Sequence, residues 1–142
     1  MFSIKMEEAM SFNYTIVLGF GDLCEELENN IYTKLSEQDF FNTSFEVIHI
    51  TNFIIKEMVV SGNVVLCKLW ITANCNNPSI GKKIRIDEFQ IKNNGSLIYS
   101  KGRIQIIAKI PQNMINNKSF IVKIEAVKLV TKNILCVAAV EQ

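Results

Sequence analysis

Residues able to do chemistry are few in this chain, and they are not grouped. His49 is the only histidine. A general base needs a nucleophile or substrate proton within hydrogen-bond reach, and no serine or cysteine stands near His49 in sequence. Flanked by Ile48 and Ile50 in a β-rich stretch, it reads as a strand residue that packs or hydrogen-bonds. Gly19-Phe20-Gly21 follows a strand-like stretch and precedes a helical one, where a dinucleotide loop would sit. The third glycine is missing, and Asp22, Glu25 and Glu26 would repel a phosphate at the helix end that must receive it. Asp87 and Glu88 are adjacent, so in a strand they point to opposite faces and cannot close on one metal ion. Cys24, Cys67, Cys75 and Cys136 form no C-x-x-C pair and read as reduced thiols, with Cys67 and Cys136 as small core residues. No P-loop and no G-x-S-x-G elbow occurs. These absences lead us to expect no enzyme activity, no cofactor and no metal.

Charge is the informative property. Up to Pro78 four lysines face ten carboxylates, a net of −6; from Ser79 onward eleven bases face four carboxylates, a net of +7. A near-neutral total therefore hides an acidic half joined to a basic one, the pattern expected of a chain with a polyanion partner on one side. The bases open and close strand-like stretches: Lys82, Lys83 and Arg85, then Lys101 and Arg103, then Lys109. Phosphates need such cations, and unpaired bases need aromatic platforms. Tyr99 and Phe89 are the only aromatic candidates there, since the parity of Phe120 places it in the core. Binding by this half is expected to be weak and indifferent to sequence.

The elements that would hold these residues follow from periodicity. Residues 13–18 are β-branched and aromatic enough for a strand. Asp22 stands at a helix N-cap with Glu25 as its capping-box partner, and Leu23, Leu27, Ile31 and Leu35 give a helix near 22–37 one apolar face. Glu25, Glu26 and Glu28 suit the positive end of that helix. Residues 45–51, 53–60 and 64–73 read as strands, with a turn at Gly62-Asn63. In the last of them Val65, Cys67, Leu69, Ile71 and Ala73 share a face. Residues 74–79 read as a linker. Five short strands follow: 82–91 with a bulge near Asp87-Glu88, 96–100, 102–110, 120–126 and 134–140. Asn93-Asn94-Gly95 reads as a hairpin turn between the first two, with Asn94-Gly95 the two-residue signal. The expected fold is α+β, mostly β: a small N-terminal lobe of one helix wrapped by a curved antiparallel sheet (residues 1–78), then a five-stranded OB-type barrel (79–142). No apolar run reaches the ~20 residues of a membrane span. The start of the chain shows no secretory hydrophobic region, so an intracellular protein is expected.

In that order the elements resemble a known family. Tyr14-Thr15-Ile16-Val17-Leu18 resembles its opening strand, and the helix bearing Leu27, Ile31, Tyr32 and Leu35 its single N-lobe helix. Val65-Leu66-Cys67-Lys68-Leu69-Trp70-Ile71-Thr72-Ala73, then Pro78-Ser79-Ile80-Gly81, resembles the strand and P-x-x-G step leading into its barrel. Phe120-Ile121-Val122-Lys123-Ile124-Glu125-Ala126-Val127 and residues 134–140 resemble its closing strands. The family is the stalk subunit of multisubunit RNA polymerases, the seventh polymerase chain of eukaryotes together with its archaeal counterpart; the short poxvirus-type versions are most similar.

This resemblance implies a non-catalytic subunit of a DNA-directed RNA polymerase that works in transcription. Its N-terminal lobe would dock on the largest polymerase subunits through a tip turn, here Met58, Val59, Val60 and Gly62. Its barrel would contact emerging single-stranded RNA weakly through Lys82, Lys83, Arg85, Tyr99, Lys101 and Arg103. A viral version would work in host cytoplasm and be packaged in the virion, whereas a cellular one would be nuclear. Whether a second stalk subunit pairs with it stays open. The alternative is a free-standing OB protein that binds single-stranded nucleic acid.

Overall fold

The computed structural model describes residues 6–40 and 43–142; Lys5, counted above among the bases, lies outside the described residues. These residues are mostly β-strand, 59%, with one α-helix. Contacts divide the chain into two compact units. One comprises Ala9–Phe40 and Ile48–Asn74; the other comprises Met1–Glu8, Phe41–Val47 and Cys75–Gln142. Among the described residues no helix is long and apolar enough to cross a membrane.

The first unit is built on β1 (Glu7–Gly19), α1 (Leu27–Ser36), β2 (Glu46–Ser61) and β3 (Val64–Asn76), whose ends extend into the second unit. Its sheet has the order β1-β3-β2, so β3 is central and β2 lies on an edge. The central position explains the composition of β3. Val65, Cys67, Leu69, Ile71 and Ala73 are buried, and Leu66, Trp70 and Thr72 on the opposite face are half-buried. Helix α1 buries Ile31 and Leu35, and Tyr32 meets Phe53 edge-on at 4.7 Å. The helix starts at Leu27, five residues later than periodicity suggests. Asp22 does not cap it: its Oδ2 accepts the Gly19 N–H (2.9 Å) and closes a 3-10 turn over Phe20–Asp22. That carboxylate is consumed one turn early, and Leu23 stays exposed. The two strands expected over 45–51 and 53–60 are one continuous strand.

The second unit holds β4 (Lys83–Ile86), β5 (Gln90–Ile91), β6 (Ser96–Lys101), β7 (Ile104–Lys109), β8 (Phe120–Val130) and β9 (Asn133–Val140). They form one sheet in the order β4-β8-β9-β7-β6-β5, antiparallel except for the parallel pair β7–β9. The two edge strands are consecutive in the chain, with only residues 87–89 between them. Laid flat, six strands would separate those edges by about 24 Å, while three linking residues reach at most about 15 Å. The sheet therefore curls. Its concave side is packed with Ile84, Ile86, Leu97, Ile104, Ile106, Phe120, Val122, Ile124 and Ile134, all 3% exposed or less. Phe89, in the break between β4 and β5, lies edge-on to Phe120 at 5.1 Å. This break is the interruption that the parity switch near Asp87-Glu88 announces.

One local expectation needs correction. Residues 74–79 are no exposed linker: β3 runs through Asn76, while Cys75, Asn76 and Pro78 are buried and the Asn77 N–H donates to the Met6 carbonyl (2.8 Å). A ladder that continues is worth more than a loop whose buried amides have no partner. The β5–β6 hairpin turns at Asn93-Asn94-Gly95 as expected, with Asn93-Asn94 at its centre. The Gly95 N–H donates to Lys92 O (2.9 Å), and Gly95 itself takes φ 81°, the left-handed residue that follows a type I turn in a three-residue hairpin.

Candidate docking hairpin and nucleic-acid interface

Strand β2 presents an apolar surface that nothing in its own unit covers. Phe53, which meets Tyr32 of α1, shares its face with Val59, whereas Ile54, Met58 and Val60 alternate with them and lie on the face turned away from the helix. Near the β2–β3 turn Val60 is 67% and Met58 39% exposed; Val59, on the opposite face, is half-buried, and Gly62 occupies the turn. The expected docking residues thus gather at one hairpin tip. Ile48, Ile54 and Ile55 on the same strand are also exposed, and sequence reasoning missed them because an apolar run does not reveal that its strand lies at a sheet edge. Lys56 and Glu57 are exposed beside them, and Glu57 pairs with Lys68 of β3 at 3.2 Å. An exposed apolar edge strand with interspersed charges is a surface suited to a partner protein.

The five expected phosphate-binding cations separate into two kinds. Lys82 and Arg103 are structural. Lys82 Nζ meets Glu8 at 3.1 Å and donates to the carbonyls of Asn77 (2.7 Å) and Met6 (3.5 Å), with its side chain 18% exposed. Arg103, its side chain only 7% exposed, pairs through Nε with Glu46 Oε2 at 2.8 Å. Its Nη1 donates to Lys132 O (2.9 Å) and its Nη2 to Thr43 O, Thr43 Oγ1 and Phe45 O at 2.8–2.9 Å. Glu8 and Glu46 come from the acidic half of the sequence, and no local pattern announces these long-range partners. The neighbouring Gly102 is required by the same contact: at φ 58°, a Cβ there would stand 2.8 Å from Glu46 Oε1. Lys83, Arg85 and Lys101 are exposed. Lys83 lies opposite Lys123 in register and 3.8 Å from Glu141, and Arg85 pairs with Asp87 at 3.1 Å.

Register decides what Tyr99 can do. Leu97, Tyr99 and Lys101 pair with Ala108, Ile106 and Ile104, so they belong to the concave side of the sheet. Tyr99 packs half-buried against the core. Burial, and then the charge of Glu88, raises its hydroxyl above the ordinary range. The outward face of β6–β7 carries Ser96, Ile98, Ser100, Gln105, Ile107 and Lys109, without an aromatic residue. At the sheet end where Tyr99 and Lys101 lie there is a polar cavity of about 340 Å³, lined also by Met6, Glu7, Asn76, Ile84 and Arg85. Asn76 is 3% exposed, and its side-chain oxygen has no hydrogen-bond partner.

The chain matches no protein-family model and no curated protein.

The remaining candidates for chemistry stay apart. His49 is exposed on β2. Burial pushes the Cys67 thiol up and those of Cys75 and Cys136 to about 11, with the charge of Glu8 adding to the effect at Cys75. Thiols so shifted stay protonated at neutral pH and are poor nucleophiles and metal ligands. Cys24 is exposed. Among the described residues no three His, Cys, Asp or Glu side chains are grouped to hold a metal ion.

Proposed function

We propose that the chain is a non-catalytic stalk subunit of a multisubunit DNA-directed RNA polymerase. Its β2–β3 hairpin docks on the polymerase body, and its basic unit contacts emerging RNA weakly. The exposed apolar tip at Met58 and Val60 carries this reading, because an apolar protrusion left bare by its own unit needs a partner to cover it. The second unit is read as an OB-type barrel. Three features support that: the curled strand order, the single parallel pairing of β7 with β9, and a first strand broken at residues 87–89. RNA contact then rests on the exposed lysines and Arg85, with Lys82 and Arg103 left to hold the unit together. The outward face of β6–β7 offers no stacking platform, so the affinity is expected to be low and strongly salt-dependent.

The test is affinity purification of the tagged protein from the cells that express it, with identification of bound chains by mass spectrometry. Recovery of the two largest polymerase subunits is the expected result. Isolation of the protein alone, together with tight binding to single-stranded RNA, would replace this reading with that of a free-standing single-strand-binding protein.

A further inference from the structure

Ladder register sets four lysines in one row across the outward face of the second unit. Lys83 of β4 lies opposite Lys123 of β8, Lys123 opposite Ala139 of β9, Ala139 opposite Lys109 of β7, and Lys109 opposite Ser96 of β6. Lys92 follows β5, donates its N–H to the Ser96 carbonyl (2.8 Å) and continues the row. The next residues along these strands, Ile84, Val122, Ala138, Ala108 and Leu97, are buried on the concave side, so the row points outward. All four lysines are exposed. At about 4.8 Å per strand the row is roughly 24 Å long, and only Ala139 and Ser96 stand between the cations. Lys83 is 3.8 Å from Glu141, while Lys92, Lys109 and Lys123 make no ion pair among the described residues. Lys92 and Lys109 also line a cavity of about 580 Å³ with Ile110, Pro111 and Ile115, and among the described residues no carboxylate lines it. Like charges directly opposite one another destabilise a sheet, so a face that sets Lys83 against Lys123 and extends the line is arranged for an anion from outside.

We infer that this row is the track of the RNA backbone: the sugar–phosphate chain of single-stranded RNA crosses the strands along it, one phosphate to each lysine. The row offers charge and little else. A sugar–phosphate backbone asks a surface mainly for cations, whereas an extended peptide gains its affinity from main-chain hydrogen bonds, which the face of a sheet does not provide. The adjacent row, Ile98, Ile107 and Val137, is aliphatic. It gives bases no ring to stack on, so the contact is with phosphates and indifferent to sequence. The inference deepens the RNA contact proposed above and rests on it. It narrows that contact to a line in which Lys92, Lys109 and Lys123 join Lys83, while Arg85 and Lys101 lie outside.

The experiment is fluorescence anisotropy of the full chain with a labelled twelve-nucleotide uridine RNA, across about 50–200 mM salt. Neutralising about four phosphates gives a slope of log affinity against log salt near −3, a loss of roughly fiftyfold over that range. Lys109→Ala with Lys123→Ala should shrink the slope by about 1.4. The melting temperature of this variant should hold or rise, because the facing lysine pair is relieved; glutamine at both positions serves if the alanine variant fails to fold. Lys118→Ala with Lys128→Ala, at exposed positions outside the row, should leave the slope unchanged. If this second pair changes the slope as much as the first, the row is overturned while RNA contact stands. If the unaltered protein binds no RNA even at the lowest salt, the row and the RNA contact fall together, and polymerase docking is judged separately by co-purification. Poly-L-glutamate is the competing probe: if it binds through the row lysines and RNA does not, an acidic protein segment is the occupant and the inference is overturned.

Discussion

Arg103 is the side chain on which the second unit depends most. Its guanidinium meets one carboxylate and four oxygens while almost fully buried. Removing one member of such a pair strands the other, at a cost of about 3–5 kcal/mol. Because Glu46 retains 27% exposure, Arg103→Ala should destabilise the chain by about 3 kcal/mol in urea unfolding. Lysine should recover little of this, since it lacks the planar fork of donors. Glu8 gives a second, smaller effect that depends on pH. Hydrogen bonds from Asn77 and then Lys82 hold its carboxyl below the ordinary value of 4.5. A depressed carboxylate contributes its stability above the unfolded value, and that contribution is lost as pH falls from about 4.5 through the folded value. Glu8→Gln should therefore differ from the unaltered protein at pH 7 and converge with it as pH falls from about 4.5 through the folded value. Acid unfolding curves of the two proteins check this, and Glu8 is exposed enough for the difference to be small.

Strand β8 joins β4 to β9 and seats Phe120 in the core against Phe89. Phe120→Ala should cost about 3–5 kcal/mol, measurable as a lowered urea midpoint. The period-two pattern of β3, β7 and β9 was legible because each buries one face continuously; in β8 the pattern holds from Phe120 to Ile124 and ends at the register shift before Ala126, which is exposed. The break between β4 and β5 was legible for the same reason, as a change of parity between Ile86 and Phe89. The start of α1 was not legible, because Asp22 suits either a helix cap or a 3-10 turn and only the position of the Gly19 amide decides between them. Nor was the burial of Asn76 and Pro78, whose composition is that of a loop; pairing with residues seventy positions away overrides it. The exposure of Ile54 and Ile55, neighbours on opposite faces, was hidden too, because it depends on β2 lying at the sheet edge, a place that pairing decides.

Taken over the whole chain, the charge split is real in sequence and partly cancelled in space. Glu8 and Glu46, counted with the acidic half, belong to the same compact unit as the bases and neutralise Lys82 and Arg103. A linear count treats all eleven bases of the second half as available, whereas the fold uses two of them for its own integrity. The docking we propose depends on a different property, the bare apolar tip of the β2–β3 hairpin. Met58 and Val60 are exposed, so aspartate at both positions should leave the fold intact, as surface changes usually do. The most direct measurement compares polymerase recovery by the tagged protein and by its Met58→Asp, Val60→Asp variant, at equal expression and equal melting temperature. The two largest polymerase subunits should come down with the unaltered protein and be lost with the variant. Equal recovery by both, or none by either, would contradict docking through this hairpin.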